Sequence, residues 1–146
     1  MKILFLDIDG VINSIRSAVA FGGYPWDVKP ESIKLFDPVA ITLIRKLCDK
    51  TGCKIVLASV WRHSVGHEAL KLAIDLPMID STPIVHMGSS RGEEIAKWLE
   101  KNIVKKYAIV DDDTNMLENQ LPYFVKVDSK NGLSYENYLA LLNLLT

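Results

Sequence analysis

The chain is short of several features that mark specialised proteins. It has only two cysteines, Cys48 and Cys53. With no second pair beside them a zinc site cannot be completed, and their places at a predicted helix end and strand start make them reduced core thiols. No apolar run approaches membrane-spanning length, and the N-terminus lacks the cleavage pattern of a signal peptide, so a soluble cytoplasmic protein is expected. Neither sign of charge dominates: 17 basic residues meet 18 acidic ones, for a net charge of -1. Such a chain has no global positive field to draw in nucleic acid or an anionic membrane, and any polyanion must be gripped locally. Internal repeats and low-complexity tracts are missing too, and nothing in the pattern marks a protein partner.

What is present is a core-forming chain of 146 residues, 49% of them hydrophobic. That is enough for one domain with a real core and too little for two, so residues 1–146 are expected as a single domain. Strand and helix patterns alternate, which predicts an α/β fold, a three-layer sandwich with a mostly parallel sheet. The predicted strands are KILFLDI from Lys2, then 54–58, 107–111 and 123–128. Helices are predicted from Pro38 to the TGC stop, around 68–74, over 91–102, and after Ser134, a good N-cap. Trp98 falls in helical register with Ile95 and Leu99 and belongs to the core. Segment 13–36, with Gly22, Gly23, Pro25 and Pro30, shows no sustained periodicity and is long enough for a functional loop, flap or minimal cap. A second passage, with Pro77 and Pro83, also resists assignment.

The residues that carry chemistry gather at element ends. The first strand runs into Asp7 and Asp9, and Gly10 lets the chain turn away. The strand YAIV ends in Asp111, Asp112 and Asp113. In open α/β sheets the carboxyl ends of the strands are the usual place for chemistry, so two acidic strand ends point to one metal site. The strand KIVLA ends in Ser59, and Arg91 opens a helix. Asp113 is expected to cap a helix after its strand. Arg62, in SVWR, either reaches over the pocket mouth or packs as a surface arginine on Trp61. His63 and His67 share a helical spacing, but Gly66 interrupts them and no third ligand is near; they are assigned to the surface.

Together DIDG, ASVWR, RGEEIAKWL, AIVDDD and VDSKNGLS resemble the haloacid dehalogenase (HAD) superfamily of phosphohydrolases. The wording is similar to a small single-domain branch found free-standing and in multi-domain RNA repair ("Swiss Army Knife") proteins. The resemblance implies a Rossmann-like HAD sheet with a minimal cap. It also implies a magnesium-dependent phosphomonoesterase acting through an aspartyl phosphate, with Asp7 as nucleophile and Asp9 as general acid and base. Ser59 and Arg91 would bind the substrate phosphate, and Arg62 a second phosphate or the nucleoside. Mg2+ would be held by Asp7, the backbone carbonyl of Asp9, and Asp111 or Asp112, an oxygen set that suits it. Arg91 departs from the family pattern, which has lysine there, and the two cations are not equivalent. The implied substrate is a phosphorylated polynucleotide end or nucleotide, with a sugar phosphate or other small metabolite as the alternative. Two readings of another class are a receiver-type phospho-acceptor and a catalytically silent phosphate-binding module. The late position of the acid cluster and the intact Asp7 and Asp9 weigh against both.

Overall fold

Ile3, Leu4, Phe5 and Leu6 are all fully buried, because β1 (Lys2–Leu6) runs through the middle of a parallel sheet with packed side chains on both faces. The computed structural model describes residues 1–146. After β1 come α1 (Ile15–Phe21), α2 (Pro30–Ile33), α3 (Pro38–Thr51), β2 (Lys54–Leu57), α4 (Trp61–Ser64), α5 (His67–Ile74) and β3 (Met78–Ser81). The chain continues through α6 (Arg91–Glu100), β4 (Lys106–Asp111), a short 3-10 helix (Glu118–Tyr123), β5 (Phe124–Lys126) and α7 (Tyr135–Leu145). All five strands are parallel, in the order β3-β2-β1-β4-β5. This is the α/β sandwich that the alternating pattern predicts, and it is consistent with a Rossmann-like HAD fold. No helix is long and apolar enough to cross a membrane.

Alternation along each strand divides the core. Leu4 and Leu6 of β1, Ile55 and Leu57 of β2, and Ala108 and Val110 of β4 face a large cluster completed by α3, α5 and α7. Their sequence neighbours Ile3, Phe5, Val56 and Ile109 face a smaller one that Ile95 and Trp98 of α6 close. Trp98 is therefore core, edge-on to Phe5 at 5.5 Å, and its indole N–H is satisfied by Asp80 at 2.8 Å. Helix α3 is well bounded by local chemistry. Asp37 caps it by accepting from the Val39 and Ala40 N–H groups, Pro38 follows at the first position, and Gly52 ends it at φ 73°.

Three parts of the chain depart from the sequence reading. The passage with Pro77 and Pro83 contains an edge strand, β3, which two exposed residues and a register shift opposite Ile55 and Val56 had concealed. Segment 13–36 folds into two short helices. It is tied down where Ile15 and Arg16 donate N–H groups to the Ser129 and Lys130 carbonyls, and where Ser32 Oγ accepts from the Trp26 and Asp27 N–H groups. Third, no α-helix follows β4, so Asp113 has none to cap; it accepts the N–H of Thr114 and closes its own turn.

Strand order fixes where a site can form. From β1 the chain moves outward through β2 to β3, then returns to the other side of β1 for β4 and β5. The reversal lies between β1 and β4, and at such a point the loops leave in opposite directions and open a crevice at the carboxyl ends of the strands. Asp7 and Asp111 stand at those two ends.

Candidate functional site

The register of β1 with β4 pairs Leu6 with Val110, so the next residues, Asp7 and Asp111, arrive together. Asp7 keeps the parity of Ile3 and Phe5 and turns towards the α6 face. Its N–H still joins the ladder at the Val110 carbonyl, 3.1 Å away, and its Oδ1 accepts the Ile8 N–H at 2.8 Å. Carboxylate oxygens of Asp7, Asp111 and Asp112 lie within 4.8 Å of one another. Gly10, at φ 85°, lets the chain pass this close: a Cβ there would collide with the Asp112 carboxylate, meeting its Cγ at 2.7 Å.

Three acids in a site this dry repel one another. Asp7 is 8% exposed and Asp111 2%. Burial, and then the charge of Asp111, push the Asp7 carboxyl up to about 9. Burial raises Asp111 to about 6, against the lowering effects of the Asp113 N–H and of Arg91. A buried Asp7 carboxyl that keeps its proton up to about 9 beside two further carboxylates fits a hard divalent cation, which would replace that proton.

Asp9 lies outside this acid group. Its carboxylate accepts the indole N–H of Trp61 at 3.1 and 3.2 Å and the side-chain amide of Asn13 at 2.9 Å. Asn13 also accepts the Gly10 N–H, which ties the turn to the residue it orients. Trp61 is buried against Phe36, the ring centroids 5.5 Å apart, so its N–H is fixed in direction. Ser59 follows β2 beside β1 and is completely buried; its hydroxyl accepts the backbone N–H of Trp61 at 3.3 Å and keeps its own proton to donate.

Arg91 is not a solvated helix start. Its Nε lies 3.5 Å from Asp111 Oδ2 and its Nη1 3.4 Å from Glu94 Oε1, with the side chain 15% exposed. Gly92 makes this possible: a Cβ there would meet the Leu117 N at 2.6 Å and Gln120 Oε1 at 2.7 Å. The Gly92 N–H donates to the Asn115 carbonyl and its own carbonyl accepts from Gln120, which locks the start of α6 to the loop after β4. Arg62 neither reaches over a pocket mouth nor sits on the surface. It turns inward, donating to the Ser59 carbonyl at 2.9 Å and to Glu94 Oε2 at 2.6 Å, with its side chain 7% exposed.

The structure thus brings Asp7, Asp9, Ser59, Arg62, Arg91, Asp111 and Asp112 to one end of the sheet. His63 is exposed, and His67, on a separate helix beyond Gly66, bonds Ser81 Oγ at 2.8 Å. Asn13, Trp61 and Glu94 are the residues the sequence reading did not assign to the site. The Arg91–Glu94 pair could have been found from its spacing on one helix face; the contacts of Trp61 with Asp9 and of Arg62 with Glu94 join distant parts of the chain and leave no local signal. Asp7 and Asp111 are buried at the strand ends, and Asp112 beside them is partly exposed.

No curated protein and no solved structure matches the chain. A family profile described as the HAD domain in Swiss Army Knife RNA repair proteins matches residues 3–138, and with nearly its whole length covered the chain belongs to that family.

Proposed function

We propose that the chain is a magnesium-dependent phosphomonoesterase that works through a covalent phosphate on Asp7. Membership of a HAD family supports a phosphatase of HAD type in general. The observation that carries the finer reading is the meeting of Asp7 with Asp111 and Asp112 at the β1–β4 crevice. Magnesium held by these three carboxylates, with the Asp9 carbonyl as a further oxygen, would offset their repulsion of a phosphate dianion.

The remaining steps belong to the chain's own residues. The ionised Asp7 carboxylate attacks phosphorus in line, forming an Asp7 O–P bond as the bond to the leaving oxygen breaks. Asp9, aimed by Trp61 and Asn13, gives that oxygen its proton. Asp9 then takes a proton from water as the water attacks the phosphoryl group, which releases inorganic phosphate and restores both aspartates. Ser59 donates its hydroxyl proton to a phosphoryl oxygen, and Arg62 and Arg91 supply positive charge where negative charge spreads in the transition state.

The substrate we propose is a terminal phosphate on a polynucleotide, or a nucleotide. The RNA repair proteins named for the family favour it over a small metabolite, and segment 13–36, with its two short helices, is too small for a separate cap domain and would act as a minimal cap. The test is hydrolysis of an oligonucleotide with a terminal phosphate, a mononucleotide and a set of sugar phosphates, with mass spectrometry of acid-quenched enzyme. A phosphate adduct on Asp7, lost in Asp7→Asn, is expected. An adduct that survives the substitution refutes the nucleophile, and a strong preference for sugar phosphates refutes the substrate.

A further inference from the structure

Glu94 is an unusual residue to find inside this crevice. A carboxylate in the first turn of a helix is ordinarily solvated, yet this one is 4% exposed and meets two guanidinium groups from different parts of the chain. Arg62 approaches from the Ser59 side at 2.6 Å and Arg91 from the Asp111 side at 3.4 Å. Ser89 Oγ adds a donor at 3.4 Å. Glu94 is thus shared by two guanidinium groups, of which Arg91 is also paired with Asp111.

The hydrogen bonds of Arg62 are incomplete in an informative way. Nη1 and Nη2 are spent on the Ser59 carbonyl and Glu94, whereas Nε is buried and has no partner. A buried donor without a partner is costly, which fits a partner supplied by the substrate. Arg62 also lies close enough to Asp7 for that charge to act on it.

We infer that Glu94 is a positioning residue, which holds Arg62 rigidly so that its free Nε and its charge serve an oxyanion of the phosphoryl group bound beside Ser59. This deepens the phosphatase reading and rests on it. Glu94 does not touch the phosphate. It holds the guanidinium through Nη2, as a pre-organised donor requires, and its second oxygen meets Arg91.

The experiment measures binding of inorganic phosphate by calorimetry in the presence of magnesium, alongside kcat and KM, for wild type, Glu94→Gln, Arg62→Lys, Arg62→Ala and the double variant R62A/E94Q. Loss of one well-aimed charge-assisted hydrogen bond should raise the Kd for phosphate about tenfold in Glu94→Gln and in Arg62→Lys, with KM rising in step. Guanidinium ion at a few tens of millimolar should occupy the space vacated in Arg62→Ala and restore phosphate affinity several-fold. That rescue should fall sharply in R62A/E94Q, where the carboxylate that anchors the added cation is gone and only the Ser59 carbonyl is left to hold it; a structural role alone would not make the rescue depend on Glu94. Folded Glu94→Gln binding phosphate as wild type does, or rescue undiminished in the double variant, overturns the inference. Should Glu94→Gln not fold, Arg62→Lys decides: wild-type phosphate affinity in that variant overturns the inference equally. A wild-type protein that binds no phosphate and hydrolyses no phosphomonoester removes the phosphatase reading itself, a result distinct from either.

Discussion

Stripped of metal, the protein should lose stability as the pH rises through neutrality, contrary to the usual behaviour of carboxylates. Asp7 has an ordinary value of 3.8 and is pushed up to about 9 in the folded chain. Between those limits the native state holds a proton that the unfolded state gives up. The stabilisation is complete below pH 3.8 and is lost progressively as the pH climbs towards 9. Holding one proton across the range from pH 5.5 to 7.5 is worth on the order of 2–3 kcal/mol, or about 5–10 °C in Tm for a chain of this size. Thermal unfolding in chelator across that range is the assay, with Asp7→Asn as the control. An amide neither repels Asp111 nor titrates, so the variant should be more stable than wild type at pH 7.5, with the gap closing by pH 5.5. The difference between the two proteins cancels the titrating groups that do not interact with Asp7; Asp111, which does, titrates near the start of the range. Magnesium should reverse the trend: it competes with that proton, and its apparent affinity should rise about tenfold per pH unit above 6, where Asp111 is already ionised. A wild-type Tm that stays level against Asp7→Asn, or a magnesium affinity independent of pH, would refute the reasoning.

Further tests address the supporting residues. Asp9→Asn should cripple hydrolysis of alkyl phosphates and spare aryl phosphates in part, because a good leaving group needs no proton; equal losses on both would count against Asp9 as the acid. Trp61→Phe keeps the packing against Phe36 but deletes the indole N–H that both Asp9 oxygens accept. It should lower kcat by about tenfold, the worth of one hydrogen bond to a charged group, while melting close to wild type; an unchanged kcat would show that Asp9 needs no such guide. Gly92→Ala forces a methyl group against the Leu117 backbone and Gln120, which should cost about 1–3 kcal/mol in chemical denaturation and displace Arg91. A variant as stable as wild type would mean that α6 can shift without penalty.

The same physical distinction separates what was legible in the sequence from what was not. KILFL and YAIVD are buried on both faces, so they appear as unbroken apolar runs, and the acids that interrupt them mark both the strand ends and the candidate metal ligands. β3 lacks that signature because an edge strand is half exposed, with Ile79 and Asp80 both in solvent. Helix α1 buries only Ser17, so no hydrophobic stripe betrays it; its one local signal is the reciprocal capping of Ser14 and Ser17. The site divides similarly. Asp7, Asp9, Ser59, Arg91, Asp111 and Asp112 stand at element ends, which singles them out by position, and the family resemblance supplies their roles. Trp61 and Glu94 look like an aromatic core residue and a solvated helix acid until the fold brings Trp61 to Asp9 and Glu94 to Arg62. Residues expected to touch phosphate or metal are limited to a few chemical types and stand out by type. Those that orient them need only a hydrogen bond in the right direction, which many types can supply, so they are recognised only once the fold has brought their partners within reach.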